Sequence, residues 1–437
     1  MLSREDNEIL ARVGPGTMMG DVFRQYWLPI LLSSELPEPD CAPIRQRILG
    51  EDLVAFRDSN GQPGLLAAHC PHRGASLFFG RNEECGLRCV YHGWKFDVTG
   101  KCVDMPNEPP ESNFKDKVHA RAYPCRERNG LIWAYMGPLA EPPDLPALEW
   151  NLVPEDQRYI SKRYEECNWA QALEGGIDSS HSGFLHSKLK QDYDDEYRQG
   201  LSIKDVDKHP RFEVVDTNYG ELVAARRTVD DQSYYWRITQ FLMPAYTMLP
   251  PYGRNPLSGH FWLPLDDYTS MAWTVTWHPT RPLTEAELTN MKEGWGLHVG
   301  LDMLGKGDPS KPGSEWQPKA TRDNDYLIDR EAEKTEVFSG LPWIAIQDQA
   351  LQESMGPIYD RTNEHLGVSD TGIIQVRRRW LQAAKDLRAR GVTPPGALEP
   401  ETYNVRPFAV ILPKDTMWVE ATAENRAAKQ GELIPSA

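Results

Sequence analysis

The strongest constraint on this chain is a set of metal-binding side chains at two distinct spacings. Cys70-Pro71-His72 is followed, after sixteen intervening residues, by Cys89-Val90-Tyr91-His92. Further on comes Glu174-Gly175-Gly176-Ile177-Asp178-Ser179-Ser180-His181, with His186 five positions later. The first set offers two thiolates and two imidazoles, the second imidazoles and carboxylates, so the two sites suit metals of different softness. The fold must supply two tight loops for one centre and a helix that breaks for the other. Electron transfer feeding oxygen chemistry is what such a pairing implies.

In the soft site each loop carries one cysteine and one histidine, so two thiolates can meet one iron and two imidazoles the other. That is the ligand set of a Rieske [2Fe–2S] cluster, and Cys70, His72, Cys89 and His92 are its expected ligands. Neutral imidazoles in place of thiolates raise the reduction potential to about −150 mV or above, against about −400 mV for an all-cysteine plant-type cluster. Gly74 and Gly93 let the chain turn sharply beside the ligands. A structural zinc site is the alternative for four Cys/His donors, although zinc pairs usually read Cys-x2-4-Cys and His-x3-5-His. His69 is out of the spacing and reads as a neighbour, and His119 and His209 have no companions.

For the hard site, positions three and four apart share a helical face, which would let Glu174, Asp178 and His181 converge. His186 lies about 140° round from His181 on an unbroken helix, so the helix must end or distort between them, with Gly183 in the gap. Two imidazoles and one carboxylate with open positions form the facial arrangement of non-haem Fe(II) oxygenases. The third ligand would then be a carboxylate from elsewhere; a plain solvated helix face is the alternative.

With 437 residues, 40% hydrophobic content and 14 tryptophans, the chain has room for two domains, and Pro-rich connectors place the boundary near residue 150, giving 1–150 and 151–437. No run approaches the roughly 20 apolar residues of a membrane span, and the start lacks an apolar leader, so a cytoplasmic protein is expected. Seven cysteines, two of them claimed, do not make a disulfide framework, and Cys41, Cys85, Cys102, Cys125 and Cys167 are expected as thiols. The net charge of −16 opposes binding to nucleic acid or anionic membrane.

The pattern predicts a short helix opened by Ser3 and a second carrying Met18, Val22, Phe23 and Trp27. Strands follow over Leu53 to Phe56, Leu65 to Ala68 and Val90 to Phe96, then a helix over Asn168 to Gly183 and several strands over Phe212 to His278. Thr284 to Glu287 reads as a capping box, Gly305 to Lys319 as a mobile loop, and Ile373 to Arg390 as a long helix stopped by Gly391.

Cys70-Pro-His72-Arg73-Gly74, Cys89-Val-Tyr-His92-Gly93-Trp94-Lys95 and Asn168-Trp-x-Gln171-x2-Glu174-x3-Asp178-x2-His181-x4-His186 together resemble the oxygenase component of Rieske non-haem iron oxygenases. Gly14 to Gly20, and Gln347-Asp348-x4-Glu353-Ser-Met-Gly-Pro357 with Asp360-Arg361 and Glu364 to Gly367, resemble its phthalate dioxygenase branch. The resemblance implies an α+β protein with an N-terminal all-β Rieske domain and a C-terminal helix-grip catalytic domain, an antiparallel sheet around a long helix. It implies one [2Fe–2S] cluster and one mononuclear Fe(II) per subunit, and a homotrimer or hexamer of stacked trimers in which one subunit's cluster serves its neighbour's iron. Residue by residue, His181 and His186 match the iron imidazoles, Asp348 the downstream carboxylate ligand and Asp178 the bridge between centres.

The same resemblance implies a separate NADH-dependent reductase with flavin and a plant-type iron–sulfur cluster. The implied reaction uses O2 to oxidise a carboxylated aromatic compound by ring hydroxylation or oxidative O-demethylation. A carboxylate wants a partly buried cation, for which Lys208, Arg237 and Arg254 are the candidates. Two other classes stand against this reading. A Rieske-type electron carrier would need only the first hundred or so residues, and a zinc-stabilised binding protein would be colourless.

Overall fold

The computed structural model describes residues 2–189, 203, 207–253 and 256–428. Helix α1 (Arg4–Ala11) starts where Ser3 accepts from the Asp6 backbone N–H, and α2 (Met18–Arg24) is capped in the same way by Thr17. Trp27, expected at the end of the second helix, instead begins strand β1 (Trp27–Leu32), because the helix stops at Gln25.

Three small antiparallel sheets fill the stretch up to Tyr135. β1 pairs β11 (Leu131–Tyr135), which pairs β10 (Cys125–Arg128). β2 (Ile44–Ile48), β3 (Glu51–Arg57), β4 (Pro63–Ala67) and β9 (Ala122–Tyr123) form the second sheet. The third runs through β5 (Arg81–Glu83), β6 (Gly86–Arg88), β7 (Lys95–Phe96) and β8 (Cys102–Asp104). The strand expected over Val90 to Phe96 is therefore only its last two residues, since Cys89 to Trp94 is taken up by a loop. Val54, Phe56, Leu66, Leu77, Leu87, Trp94 and Phe96 close a separate small core around Cys70 and Cys89.

Beyond it lies one large antiparallel sheet in the order β12 (Arg158–Glu165), β18 (Ser270–Trp277), β17 (Leu257–Pro264), β16 (Tyr246–Leu249), β15 (Ser233–Leu242), β14 (Gly220–Thr228) and β13 (Arg211–Asp216), with β19 (Phe408–Pro413) also paired to β15. Helix α3 (Trp169–Ile177) lies on β16 and β17. Gly176 allows that approach, because a Cβ there would stand 2.8 Å from Thr247 Oγ1. The long helix α6 (Thr371–Arg390) packs on β13 and β14, buries Val376, Trp380 and Ala384, and ends at Gly391 in the left-handed conformation. An antiparallel sheet gripping one long helix is the helix-grip arrangement, and with the N-terminal sheets it makes the chain α+β.

The main core is continuous between the two regions, joining Phe23, Trp27 and Trp133 to Trp169, Phe241 and Trp380. Phe23 and Trp380 each meet Trp169 edge-on at 4.8 Å, and α1 and α2 pack against α6. The Thr284 capping box is formed and opens α4 (Glu285–Lys292). The segment expected to be mobile is tethered: the Gly305 and Lys319 N–H groups donate to the Gln317 and Met303 carbonyls, and Ser314 is hydrogen-bonded to Asp308. No helix among the described residues is long and apolar enough to cross a membrane.

Candidate metal centres

The two cysteine-histidine loops are near copies of one another. The Gly74 N–H donates to the Cys70 carbonyl and the Gly93 N–H to the Cys89 carbonyl, both at 2.9 Å. Returning bonds run from the Cys70 N–H to Ala75 and from the Cys89 N–H to Trp94, both at 2.8 Å. Gly74 and Gly93 have φ of 76° and 80°, which a side chain would strain. Both thiols are buried, and the His72 and His92 rings stand 4.5 Å apart, half-exposed. The His72 ring is stacked on Trp94 at 4.2 Å, and the Trp94 indole donates to Asn107.

Burial and the adjacent Cys89 push the Cys70 thiol up to about 11, so a cationic partner is needed to hold it as thiolate. His72 Nδ1 is buried without a hydrogen-bond partner among the described residues. Paired buried sulfurs and an orphaned imidazole nitrogen fit a mixed Cys/His cluster. Cys85 is elsewhere, with Sγ 3.2 Å from the Asn60 amide, and Cys102 is buried nearby with its Sγ turned to the Asp104 carbonyl.

The second centre forms where α3 stops. The helix expected to reach Gly183 ends at Ile177, because Asp178 turns its carboxylate back on the chain and accepts from the Ser180 N–H at 2.7 Å and the His181 N–H at 3.3 Å. A short 3-10 turn, His181–Gly183, then carries the chain to His186. Opposite, α5 (Ile344–Ser354) presents Asp348. His181 Nε2 and His186 Nε2 are 3.0 Å apart, with Asp348 Oδ1 at 3.6 Å from the first and 3.2 Å from the second. Such a triangle is what metal bonds of about 2.1 Å subtend at roughly 90–120°. The donor set is the facial one, and the spacing fits a metal.

Asp178 faces the other edge of the same ring, with Oδ2 at 3.3 Å from His181 Nδ1. Burial works against ionising these groups, yet His181 is raised by Asp178 and Asp348, and Asp348 is held down to about 2 by His186 and His181. The side chains of Asp178 and His181 keep 21% and 25% exposure.

Glu174 does not join them. It turns away to Arg377 of α6, whose Nε and Nη2 meet its two oxygens at 2.7 Å, while Glu364 takes the rest of that guanidinium. Glu353, near Asp348 on α5, accepts from the Glu166 N–H, Gln349 and the Tyr326 hydroxyl, so it braces the fold. Sequence reasoning missed Gln347, whose Oε1 lies 2.7 Å from His186 Nδ1. A polar residue one step before an acidic one carries no signal of that role.

Of the carboxylate-anchor candidates, Lys208 is exposed, 5.1 Å over the Phe184 ring, and Arg254 lies outside the described residues. Arg237 is buried on β15, with Nη2 donating to the Pro250 carbonyl at 3.0 Å and the guanidinium 3.9 Å over the Tyr252 ring. Its Nη1 is buried without a hydrogen-bond partner among the described residues. Arg227 is also buried, donates to the Ser179 carbonyl at 2.7 Å, and has its pKa lowered by burial and by Arg237. Neither arginine has an ion pair among the described residues. Through Ser179, Arg227 stands at the turn that carries His181.

Residues 26–124 match the Rieske [2Fe-2S] domain, and residues 134–436 match the LigXa C-terminal domain like family. Along its whole length the chain is similar to the 3-chlorobenzoate-3,4-dioxygenase oxygenase subunit of Comamonas testosteroni, 40% identical over 98% of this chain and 99% of that protein. This chain belongs to the Rieske non-haem iron oxygenases. The phthalate 4,5-dioxygenase oxygenase subunit of Pseudomonas putida is 38% identical over 96% of this chain and 94% of its own. Among solved structures, dicamba monooxygenase bound to 3,6-dichlorosalicylic acid shares the fold, with a TM-score of 0.56 and 18% identity over 84% of this chain and 98% of that one. This Rieske oxygenase is accordingly of the phthalate dioxygenase-like branch, an oxygenase component with a [2Fe–2S] cluster and a non-haem iron.

Proposed function

We propose that this oxygenase oxidises a carboxylated aromatic compound with O2, by ring hydroxylation or oxidative O-demethylation, using electrons that a separate NADH-dependent reductase delivers. The observation that carries the reading is the convergence of His181, His186 and Asp348 next to a turn held by buried Arg227, with buried Arg237 on the neighbouring strand, neither arginine in an ion pair among the described residues. In this reading Cys70, His72, Cys89 and His92 hold the cluster, and His181, His186 and Asp348 hold Fe(II).

When bound, the two groups supply electrons one at a time and a position at which dioxygen is reduced. The chain's own residues do the rest. Asp178 accepts the Nδ1 proton of His181 and so keeps Nε2 turned toward the metal position. Its remaining exposure suits a cluster-ligand imidazole, His72 or His92, of an adjacent subunit, which makes a ring of like subunits the working assembly. Arg237 offers Nη1, unpartnered among the described residues, to the substrate carboxylate as a charge-assisted donor. Arg227 clamps the Ser179 carbonyl, fixing the turn that carries Asp178.

Product analysis with chlorinated, hydroxylated and methoxylated benzoates and phthalates, a generic reductase and NADH, tests the proposal. Hydroxylated ring or demethylated acid, dependent on the carboxyl group, is expected. Equal turnover of uncharged analogues would overturn the substrate class.

A further inference from the structure

We infer that Gln347 is a positioning residue for the mononuclear iron: it fixes the tautomer and aim of His186 while adding no charge. The inference rests on His186 being a ligand, as proposed above. The Gln347 side chain is buried, and its Nε2 donates to the Leu341 carbonyl at 2.9 Å. A carbonyl can only accept, so that bond turns Oε1 toward His186, where it lies 2.7 Å from Nδ1. Nδ1 must then carry the proton, which leaves the Nε2 lone pair directed at Asp348 Oδ1 and His181 Nε2, at 3.2 and 3.0 Å.

The neighbouring residue on α5 is Asp348 itself, so one turn of helix supplies both a donor atom and the group that orients another. Leu341, which lies before the helix, anchors the amide from the far side, so Gln347 is held at both ends. The two imidazoles are thereby distinguished. His181 is backed by the carboxylate of Asp178, and His186 by a neutral amide. Groups that orient a metal-bound histidine typically contribute about 10–100-fold in metal affinity.

The test removes the mononuclear metal from cluster-containing protein with a chelator and measures re-binding of Co(II), read from its d–d absorption bands, in four chains. Gln347→Leu removes both hydrogen bonds and should weaken Co(II) binding by about 10–100-fold with the cluster spectrum intact. Gln347→Glu keeps the acceptor for His186 but loses the donor to Leu341, and should restore affinity to within a few fold of the parent. Binding by the Leu chain equal to the parent overturns the inference. So does a Glu chain as weak as the Leu chain, because the Leu341 anchor would then be what matters. If the Leu chain does not keep its cluster, the near-isosteric Gln347→Met takes its place. His186→Ala is the control: parent-like Co(II) affinity in that chain would remove the ligand assignment itself, an outcome separate from a failure confined to Gln347.

Discussion

Asp178 backs the His181 ring, its Oδ2 3.3 Å from Nδ1 while Nε2 on the far edge faces Asp348. The imidazole thus stands between two carboxylates with different tasks, one aimed at the metal position and one at the exposed edge. Asp178→Asn keeps the shape and discards the charge. It should retain cluster and iron, yet slow turnover by at least about 10–100-fold. Single-turnover oxidation of the reduced cluster, alongside metal counts, checks this; loss of iron in the variant would make Asp178 a ligand rather than a bridge.

The proposed ring of like subunits has Asp178 linking one subunit's cluster to its neighbour's iron. Mixed oligomers of Cys70→Ala and His181→Ala chains, each inactive alone, should recover part of the parent activity. Hybrids of verified composition that stay inactive, while parent chains survive the same mixing, would place electron transfer within one subunit.

Arg237 should report on the substrate carboxylate. Losing a charge-assisted hydrogen bond costs about 2 kcal/mol, so Arg237→Leu should raise KM for an aromatic acid roughly 30-fold. The cluster spectrum and iron content should not change. An unchanged KM would move the anchor to another cation.

Much of the soft site is legible in the sequence, because Cys70 to Gly74 and Cys89 to Gly93 are local motifs whose spacing, turn and donors lie within five residues. The long helix ending at Gly391 is legible for the same reason, its apolar period and stop signal being continuous. The hard site is legible only in part. Its helix ends at Ile177, six residues before Gly183, because the Asp178 side chain competes for the Ser180 and His181 N–H groups. Glu174 fits the helical face on spacing alone, but its partner Arg377 lies about two hundred positions away, where periodicity carries no information. Gln347 and Arg227 are invisible for a like reason, since their roles exist only once α5 and β14 are brought to the turn after α3.

The Glu174–Arg377–Glu364 cluster yields a stability prediction with opposite signs of pH dependence. Burial alone would raise Glu174, but Arg361 and Arg377 outweigh it and its pKa is lowered, so the cluster stabilises the parent above the unfolded carboxylate range and this contribution is lost as pH falls through the folded value. Arg377→Leu takes the shared guanidinium from two largely enclosed carboxylates, leaving Arg361 alone at 3.6 Å from Glu174, and should cost about 3 kcal/mol near neutrality. Protonation removes the uncompensated negative charge, so the variant's deficit should shrink on acidification. Denaturant melts at pH 7 and 5 decide it, and a deficit that grows toward pH 5 would contradict the assignment.

The most direct test of the account is the metal content of Asp348→Ala. If His181, His186 and Asp348 hold the iron, the variant should lose most of its mononuclear iron and its turnover. Acid-labile sulfide and the visible spectrum of the cluster should stay at parental levels. Full retention of mononuclear iron in Asp348→Ala would contradict the three-residue site.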